Sequence, residues 1–250
     1  MMIAVQTSRG LRLAGAAFLT LLLAVLAWQA AFHSIDFPVY HGTAARVLAG
    51  DYEIYPAEVY GGGQPMPGHN FRYTPVMAFL FVPLALVPLP VAALAFYVLK
   101  LGALVYIGHT ILARAGVASH VRPVTLLALF IVAGYAVEEL RFGNAQVLCV
   151  ALMVFAFNAV DERRVVAPAG ALGVAIAMKM TPAVLLGYFA LRRRGLVCLA
   201  TMTVLVLLAV APAAIVGWQR NTRLLRGWWT YALQKIDETE NYSLRGVLQR

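Results

Sequence analysis

Charge is what this chain lacks most. Asp, Glu, Lys and Arg together supply 12% of its 250 residues, while 62% are apolar. A soluble domain carries about 25% charged residues, so these side chains cannot coat a water-exposed surface. Disorder is excluded for the opposite reason, because disordered segments are polar. Cysteine is nearly absent. Cys149 and Cys198 each lie in an apolar run with no His or acidic neighbour, which argues for two inert buried thiols and against a disulfide framework or a metal site. The familiar constellations of soluble enzymes are missing as well. The sequence holds no phosphate-cradling glycine loop, no His-Glu-x-x-His and no Gly-x-Ser-x-Gly.

What is present is hydrophobic length. The mean hydropathy is +0.77, and the apolar residues collect in long runs. The expected fold is therefore all-α, a polytopic transmembrane helical bundle of about seven spans. A net charge of +9, from 20 basic and 11 acidic residues, would suggest nucleic acid in a soluble protein. In a membrane protein it marks loops held beside an anionic cytoplasmic leaflet, and no nucleic-acid partner is expected.

The first span is expected over Leu11 to Phe32, with Arg9 and Arg12 before it and Trp28 near its far end. A cleaved signal peptide shares the basic start. The run is long for a signal core and lacks a small-x-small exit, so an uncleaved anchor with its N-terminus inside is the better reading. Residues 33–74 form a first outer loop, acidic through Asp36, Asp51, Glu53 and Glu58 and rich in Gly and Pro around 61–68. Within it, 39–48 reads as a short surface helix, with Val39, Ala44, Val47 and Leu48 among its apolar positions and a stop at Gly50. Later apolar runs cover 75–113, 123–137, 145–160, 165–191 and 195–217, and 218–250 forms a second outer loop.

Two arrangements of these runs are open. In one, 75–113 holds one crossing plus a short outer helix and 165–191 folds as a shallow hairpin. Nine loop arginines then lie inside: Arg9, Arg12, Arg114, Arg122, Arg163, Arg164 and 192–194. In the other, 75–113 crosses twice and 165–191 once. The orientation rule favours the first and helix length the second. Both place 33–74 and 218–250 outside.

A charge inside a span is costly and usually faces protein or a water-filled cavity. Lys179, in Ala177-Met178-Lys179-Met180-Thr181-Pro182, falls at the outward tip of the hairpin in the first arrangement, where it can meet an anion. The bland alternative is a lysine snorkelling from a helix end. Lys100 reads as structural, with a stem long enough to reach an interface. The polar break Glu138, Glu139, Arg141, Asn144 and Gln146 reads residue by residue as a solvated loop with a local ion pair. Asp36, between Ile35 and Phe37, is by composition a polar boundary or a helix cap. His33, His41 and His69 share the outer loop but no metal-ligand spacing. The segment 218–250, with Arg220, Arg223, Arg226, Lys235, Trp228 and Trp229, reads as an interfacial helix.

The order of these pieces resembles membrane glycosyltransferases of the GT-C class, specifically glycosyltransferase family 87. The residues that carry the resemblance are Asp36-Phe37-Pro38-Val39-Tyr40, Ala44 to Gly50, Tyr55-Pro56 and Phe71-Arg72-Tyr73-Thr74-Pro75. They continue with Gly143-Asn144-Ala145-Gln146, Lys179-Met180-Thr181-Pro182 and Asn241-Tyr242-Ser243-Leu244-Arg245-Gly246. Members are usually longer, with further spans after the second outer loop, so the chain is expected to be the N-terminal portion of such an enzyme, 1–250 forming a single transmembrane domain.

The resemblance implies an inverting mannosyl- or pentosyltransferase of the bacterial plasma membrane. It would take sugar from a polyprenyl-phosphate donor and pass it to a hydroxyl of an envelope glycan or glycolipid on the outer, periplasmic side. Asp36 is implied as general base; it would deprotonate the acceptor as its oxygen attacks the anomeric carbon. Arg72, Lys179, Arg245 and Arg141 are candidates for the donor phosphate, and Tyr40, Tyr73, Asn144 and Gln146 for the sugar or the acceptor. No Asp-x-Asp pair is present, which disfavours a nucleotide-sugar donor; no metal ligands are assigned, and the lipid-linked sugar is a substrate, not a cofactor. A transporter or flippase with Lys179 and Lys100 along its pathway, or a noncatalytic membrane scaffold, are the competing classes. The absence of an internal repeat and the large asymmetric outer loop suit an enzyme better.

Overall fold

The computed structural model describes residues 2–56, 71–114, 123–161 and 164–234, and the regular elements among them are all helical. Helix α1 spans Met2–His33, and α2, Phe37–Leu48, follows after a three-residue turn. Two short helices come next, α3 (Pro75–Leu80) and α4 (Val82–Ala85), before the long α5 (Leu89–Arg114). Helices α6 (Pro123–Phe142) and α7 (Gln146–Asp161) precede α8 (Val166–Met178). A single 3₁₀ turn, Thr181–Ala183, leads into α9 (Val184–Leu191), followed by α10 (Gly195–Val210), α11 (Ala213–Val216) and α12 (Trp218–Gln234).

Proline sets most of these boundaries. Pro75 and Pro83 open α3 and α4, Pro90 lies in the first turn of α5, and Pro182 sits in the turn after α8; each tolerates a helix start but not its interior. The run 75–113 thus yields one long helix preceded by two short ones, and 165–191 folds back on itself, as in the first of the two arrangements. Helix α8, with 13 residues, rises about 20 Å, short of a hydrocarbon core about 30 Å thick; the hairpin is shallow.

Sequence expectations are refined at two places. The surface helix begins at Phe37, two residues early, because Pro38 is accommodated in its first turn. Its buried face is Phe37, Tyr40, Thr43, Ala44 and Val47, spaced at i, i+3, i+6, i+7 and i+10, whereas Leu48 is exposed. The break at Glu138 to Arg141 is no loop; it is the last turn of α6.

Among the described residues, three segments are long and apolar enough to cross a bilayer: Arg12–His33, Leu89–Arg114 and Gly195–Val216. Shorter apolar helices cover Gln146–Val160, Val166–Met178 and Thr181–Leu191. Their outward faces carry Phe18, Leu21 and Trp28 on α1, Val91, Val98 and Val105 on α5, and Leu196, Leu199 and Val206 on α10, all exposed. Apolar surface on this scale marks a lipid or partner interface. Inside, Ala156, Leu172, Ile176, Phe189 and Val197 bind α7, α8, α9 and α10 together. Leu26, Ala30, Tyr97 and Leu140 join α1, α5 and α6. Backbones approach closely where Gly173 faces Val204, since a Cβ there would lie 2.5 Å from Val204 Cγ1.

Side-chain ties fix which helix ends lie together. Tyr97 Oη donates to Leu23 O at 3.0 Å, and Asn158 Nδ2 donates to Tyr106 Oη at 3.3 Å, so α5 runs away from the Asp36 end towards Arg114. The rings of Phe157 on α7 and Phe189 on α9 lie 5.4 Å apart, so Arg164 and Arg194, which follow those helices, share the far end. Asp36, the Phe142 carbonyl, Gln146 and Lys179 gather at the near end.

Candidate active site

The near end is assembled around the turn between α1 and α2. The N–H groups of Ile35 and Asp36 both donate to Phe142 O, at 3.1 and 2.9 Å, so the last residue of α6 holds this turn. Asp36 occupies the N-cap position of α2, but its side chain makes no capping hydrogen bond. The cap reading of Asp36 is therefore not the one realised; the first turn is met through Asp36 O, which accepts from Val39 N–H at 3.1 Å. Gly143 completes the approach with φ +74°; a Cβ there would stand 2.7 Å from Phe37 Cβ and 3.2 Å from Ser34 Cβ. Only glycine combines that backbone with that proximity.

Tyr40 lies one helical turn beyond Asp36 and is buried. Its hydroxyl meets Tyr73 Oη at 2.5 Å and accepts from the Ala145 N–H. Its ring packs edge-on against Tyr73 and beside Phe81 and Phe96. Tyr55 Oη donates to Tyr73 O at 2.7 Å. Burial, reinforced by Tyr73 and by the negative charge of Asp36, pushes the Tyr40 phenol far above its ordinary range. Tyr73 is raised too, chiefly by burial. Both phenols keep their protons at neutral pH, so proton acceptance in this cluster falls to a carboxylate.

Lys179 caps α8 in an extended conformation, φ −152° and ψ 129°, at the tip of the hairpin. Its Nζ donates to Gln146 Oε1 at 2.6 Å, and Thr74 Oγ1 donates to Ala177 O at 2.5 Å. These contacts bring the 71–74 segment, the start of α7 and the hairpin tip together. Between them lies a cleft of about 320 Å³ lined by Arg72, Tyr73, Thr74, Lys179 and Trp228, among others. A second, apolar groove of about 220 Å³ shares Thr74, Ala177, Met180 and Trp228 with it and continues along Ile176, Leu205 and Leu208. Two cations thus stand at the mouth of an apolar channel, and Tyr73 links them to Tyr40 and Asp36.

The structure brings together Asp36, Tyr40 and Tyr73 on one side and Arg72, Lys179 and Gln146 on the other. Asn144 plays a local part: its Oδ1 accepts from Gln146 N–H at 3.0 Å, a helix cap for α7. Arg141 does not line the cleft; it is exposed, with its guanidinium over the Phe142 ring at 5.2 Å. Arg245 lies outside the described residues. The histidines do not converge: His33 stacks on Trp28, His41 meets Val87 O at 3.0 Å, and His69 lies outside the described residues. Among the described residues no group of three His, Cys, Asp or Glu side chains is placed to hold a metal ion.

Sequence reasoning passed over Thr74 and Trp228 as lining residues. Lys100, read from the sequence as structural with a stem long enough to reach an interface, does not snorkel. Lys100 is fully buried, and its Nζ donates to the carbonyls of Glu139 and Leu140. One cue was available: Lys100 is the lone charge of a long apolar run, and such a charge usually has a partner within the bundle.

A helical bundle with apolar outward faces, gathering a carboxylate, paired tyrosines and two cations beside an apolar groove at one end, defines a membrane protein with a cationic cleft that opens on apolar surface. The chain belongs to glycosyltransferase family 87, whose model matches residues 71–250. It is 32% identical to a polyprenol-phosphate-mannose-dependent alpha-(1-2)-phosphatidylinositol mannoside mannosyltransferase of Mycobacterium tuberculosis, over 86% of this chain and 52% of that protein. A protein of the same description from Mycolicibacterium smegmatis is 30% identical over 87% of this chain and 52% of its own length. The chain therefore spans about half the length of the curated relatives it matches. No solved structure matches it.

Proposed function

We propose that this chain transfers mannose from a polyprenyl-phosphate donor to a hydroxyl of a mannoside glycolipid, with Asp36 as the general base. The observation that carries the reading is the cleft holding Arg72 and Lys179, which opens into an apolar groove on one side and is lined on the other by Tyr73, hydrogen-bonded to Tyr40 one helical turn after Asp36. A phosphate joined to an isoprenoid chain matches that pairing of cations with apolar lining. The names of the relatives supply the sugar and the class of acceptor.

In the reaction, the Asp36 carboxylate takes the proton of the acceptor hydroxyl as its oxygen bonds to the anomeric carbon. The glycosyl–phosphate C–O bond breaks, and polyprenyl phosphate leaves with its bonding electrons. Charge developing on the leaving phosphate is met by Arg72, which can grip bidentately, and by Lys179, a point charge. A single displacement inverts the anomeric configuration. The Tyr73 hydroxyl, on the cleft side of the pair, donates to a substrate oxygen while the buried Tyr40 hydroxyl donates to it. Arginines gathered at the far end favour that end as cytoplasmic. The loops 33–74 and 218–250 and the site then face the outer, periplasmic side of a bacterial plasma membrane.

The test is transfer from polyprenyl-phosphate mannose in protein reconstituted into lipid nanodiscs. Asp36→Asn is expected to lower the rate by roughly 10²–10⁴-fold while membrane insertion stays intact. Transfer retained at the wild-type rate would remove Asp36 from the role of base.

A further inference from the structure

We propose that Lys100 is the positioning residue that holds the Asp36 turn in register. The inference rests on the reading of Asp36 as the base. Helix α6 ends in carbonyls that no later turn of the helix can satisfy, and it ends directly beneath that turn. Phe142 O is taken by the N–H groups of Ile35 and Asp36. The carbonyls of Glu139 and Leu140, in the same final turn, are taken by Lys100 Nζ. One helix end is therefore shared between the catalytic turn and a single buried ammonium, which also lies at the negative pole of that helix.

A second route runs through aromatic rings. Phe96, one turn before Lys100 on α5, has its ring 5.4 Å from Nζ and stacks on Phe37 at 5.0 Å and 25°. Phe37 follows Asp36 directly in the chain. Two carboxylates, those of Glu139 and Asp36, act electrostatically on Lys100. One Glu139 oxygen, Oε2, is buried without a hydrogen-bond partner among the described residues. Lys100 has three N–H donors, two of them already aimed at α6, and its charge offsets that carboxylate. A lysine with no exposure at all inside a membrane bundle is costly to keep. Its contacts converge on the turn that carries the base.

The proposal is tested with Lys100→Met in the full protein in nanodiscs, by amide hydrogen exchange and by kinetics on the same sample. The Ile35 and Asp36 amides are expected to exchange at least about tenfold faster, while α8 and α10 keep wild-type rates. Turnover is expected to fall roughly 10–100-fold with each KM within about threefold, because the base is misplaced and neither substrate cleft is altered. Should Lys100→Met fail to accumulate, Lys100→Gln keeps an uncharged amide donor group and is expected to show the same two changes at smaller size. Wild-type exchange at Ile35 and Asp36, or a loss confined to KM, overturns the proposal. If the wild-type protein transfers no sugar, the functional reading fails instead, and the exchange measurement still decides the role of Lys100.

Discussion

Asp36, the proposed base, and Gly143 form a pair in which one residue carries the carboxylate and the other makes room for its turn. Replacing Gly143 with Ala forces a Cβ against Phe37 and a side chain into φ +74°. We expect Gly143→Ala to cost about 1–3 kcal/mol of stability, read as a lowered Tm, and to lower transfer more than it lowers protein yield. In the cleft, Arg72→Gln and Lys179→Gln should each raise the donor KM by about tenfold, the loss of one charge-assisted hydrogen bond, with acceptor KM unchanged. The buried tyrosines give a pH signature. Both phenols are raised above the ordinary value of about 10. The stability they contribute is complete below about pH 10 and is lost only as pH rises towards their folded values. Spectrophotometric titration should show tyrosines that ionise in the unfolded protein at about pH 10 but resist ionisation in the folded one, and Tyr40→Phe should remove one of them.

The grouping of the candidate residues at one end was legible because they are concentrated in short stretches. Asp36 and Tyr40 lie in one turn of sequence, and Arg72 and Tyr73 are neighbours. Arg141 has the right type beside Gly143-Asn144, but its guanidinium lies over the Phe142 ring and it does not line the cleft. Lys100 was legible only in part. A lone lysine in a long apolar run points to a partner within the bundle, but no local pattern names a helix end 40 residues away as that partner.

Packing between elements depends on similar economies of space. Helices α8 and α10 meet where Gly173 faces Val204, the close backbone approach that small residues permit between membrane helices. Gly173→Ala should destabilise by about 1–3 kcal/mol through overpacking. Val204→Ala in the same background should recover part of that loss; a double-mutant cycle measured by thermal unfolding reads the coupling directly. Helix positions followed well from apolar runs and proline spacing. Two things did not follow: the face that α2 buries, which depends on aromatic partners from 71–96, and the helical state of Glu138 to Arg141. Their polarity suggests a loop, whereas the end of α6 is stabilised by Lys100 and by the Asp36 turn.

Across the whole molecule, charge is sorted by end. Arg114, Arg164 and Arg192 to Arg194 collect away from Asp36, and hydropathy alone left this undecided because helix length and loop charge pointed to different arrangements. Thiol labelling of intact cells checks it. A cysteine at Met180, beside the hairpin tip, should react with an impermeant reagent. One at Leu191, at the other end of the same hairpin, should react only after permeabilisation. Both side chains are exposed, so burial cannot account for a difference, and the reverse pattern would invert the orientation.

The apolar groove beside Trp228 has a kinetic meaning. A donor whose chain lies in that groove exchanges lipid neighbours for protein neighbours without passing through water, so the enzyme samples it in two dimensions. The relevant concentration is then its mole fraction in the bilayer. Adding inert phospholipid at a fixed total amount of donor should slow transfer as if substrate had been removed, whereas changing the aqueous volume should leave the rate unaltered.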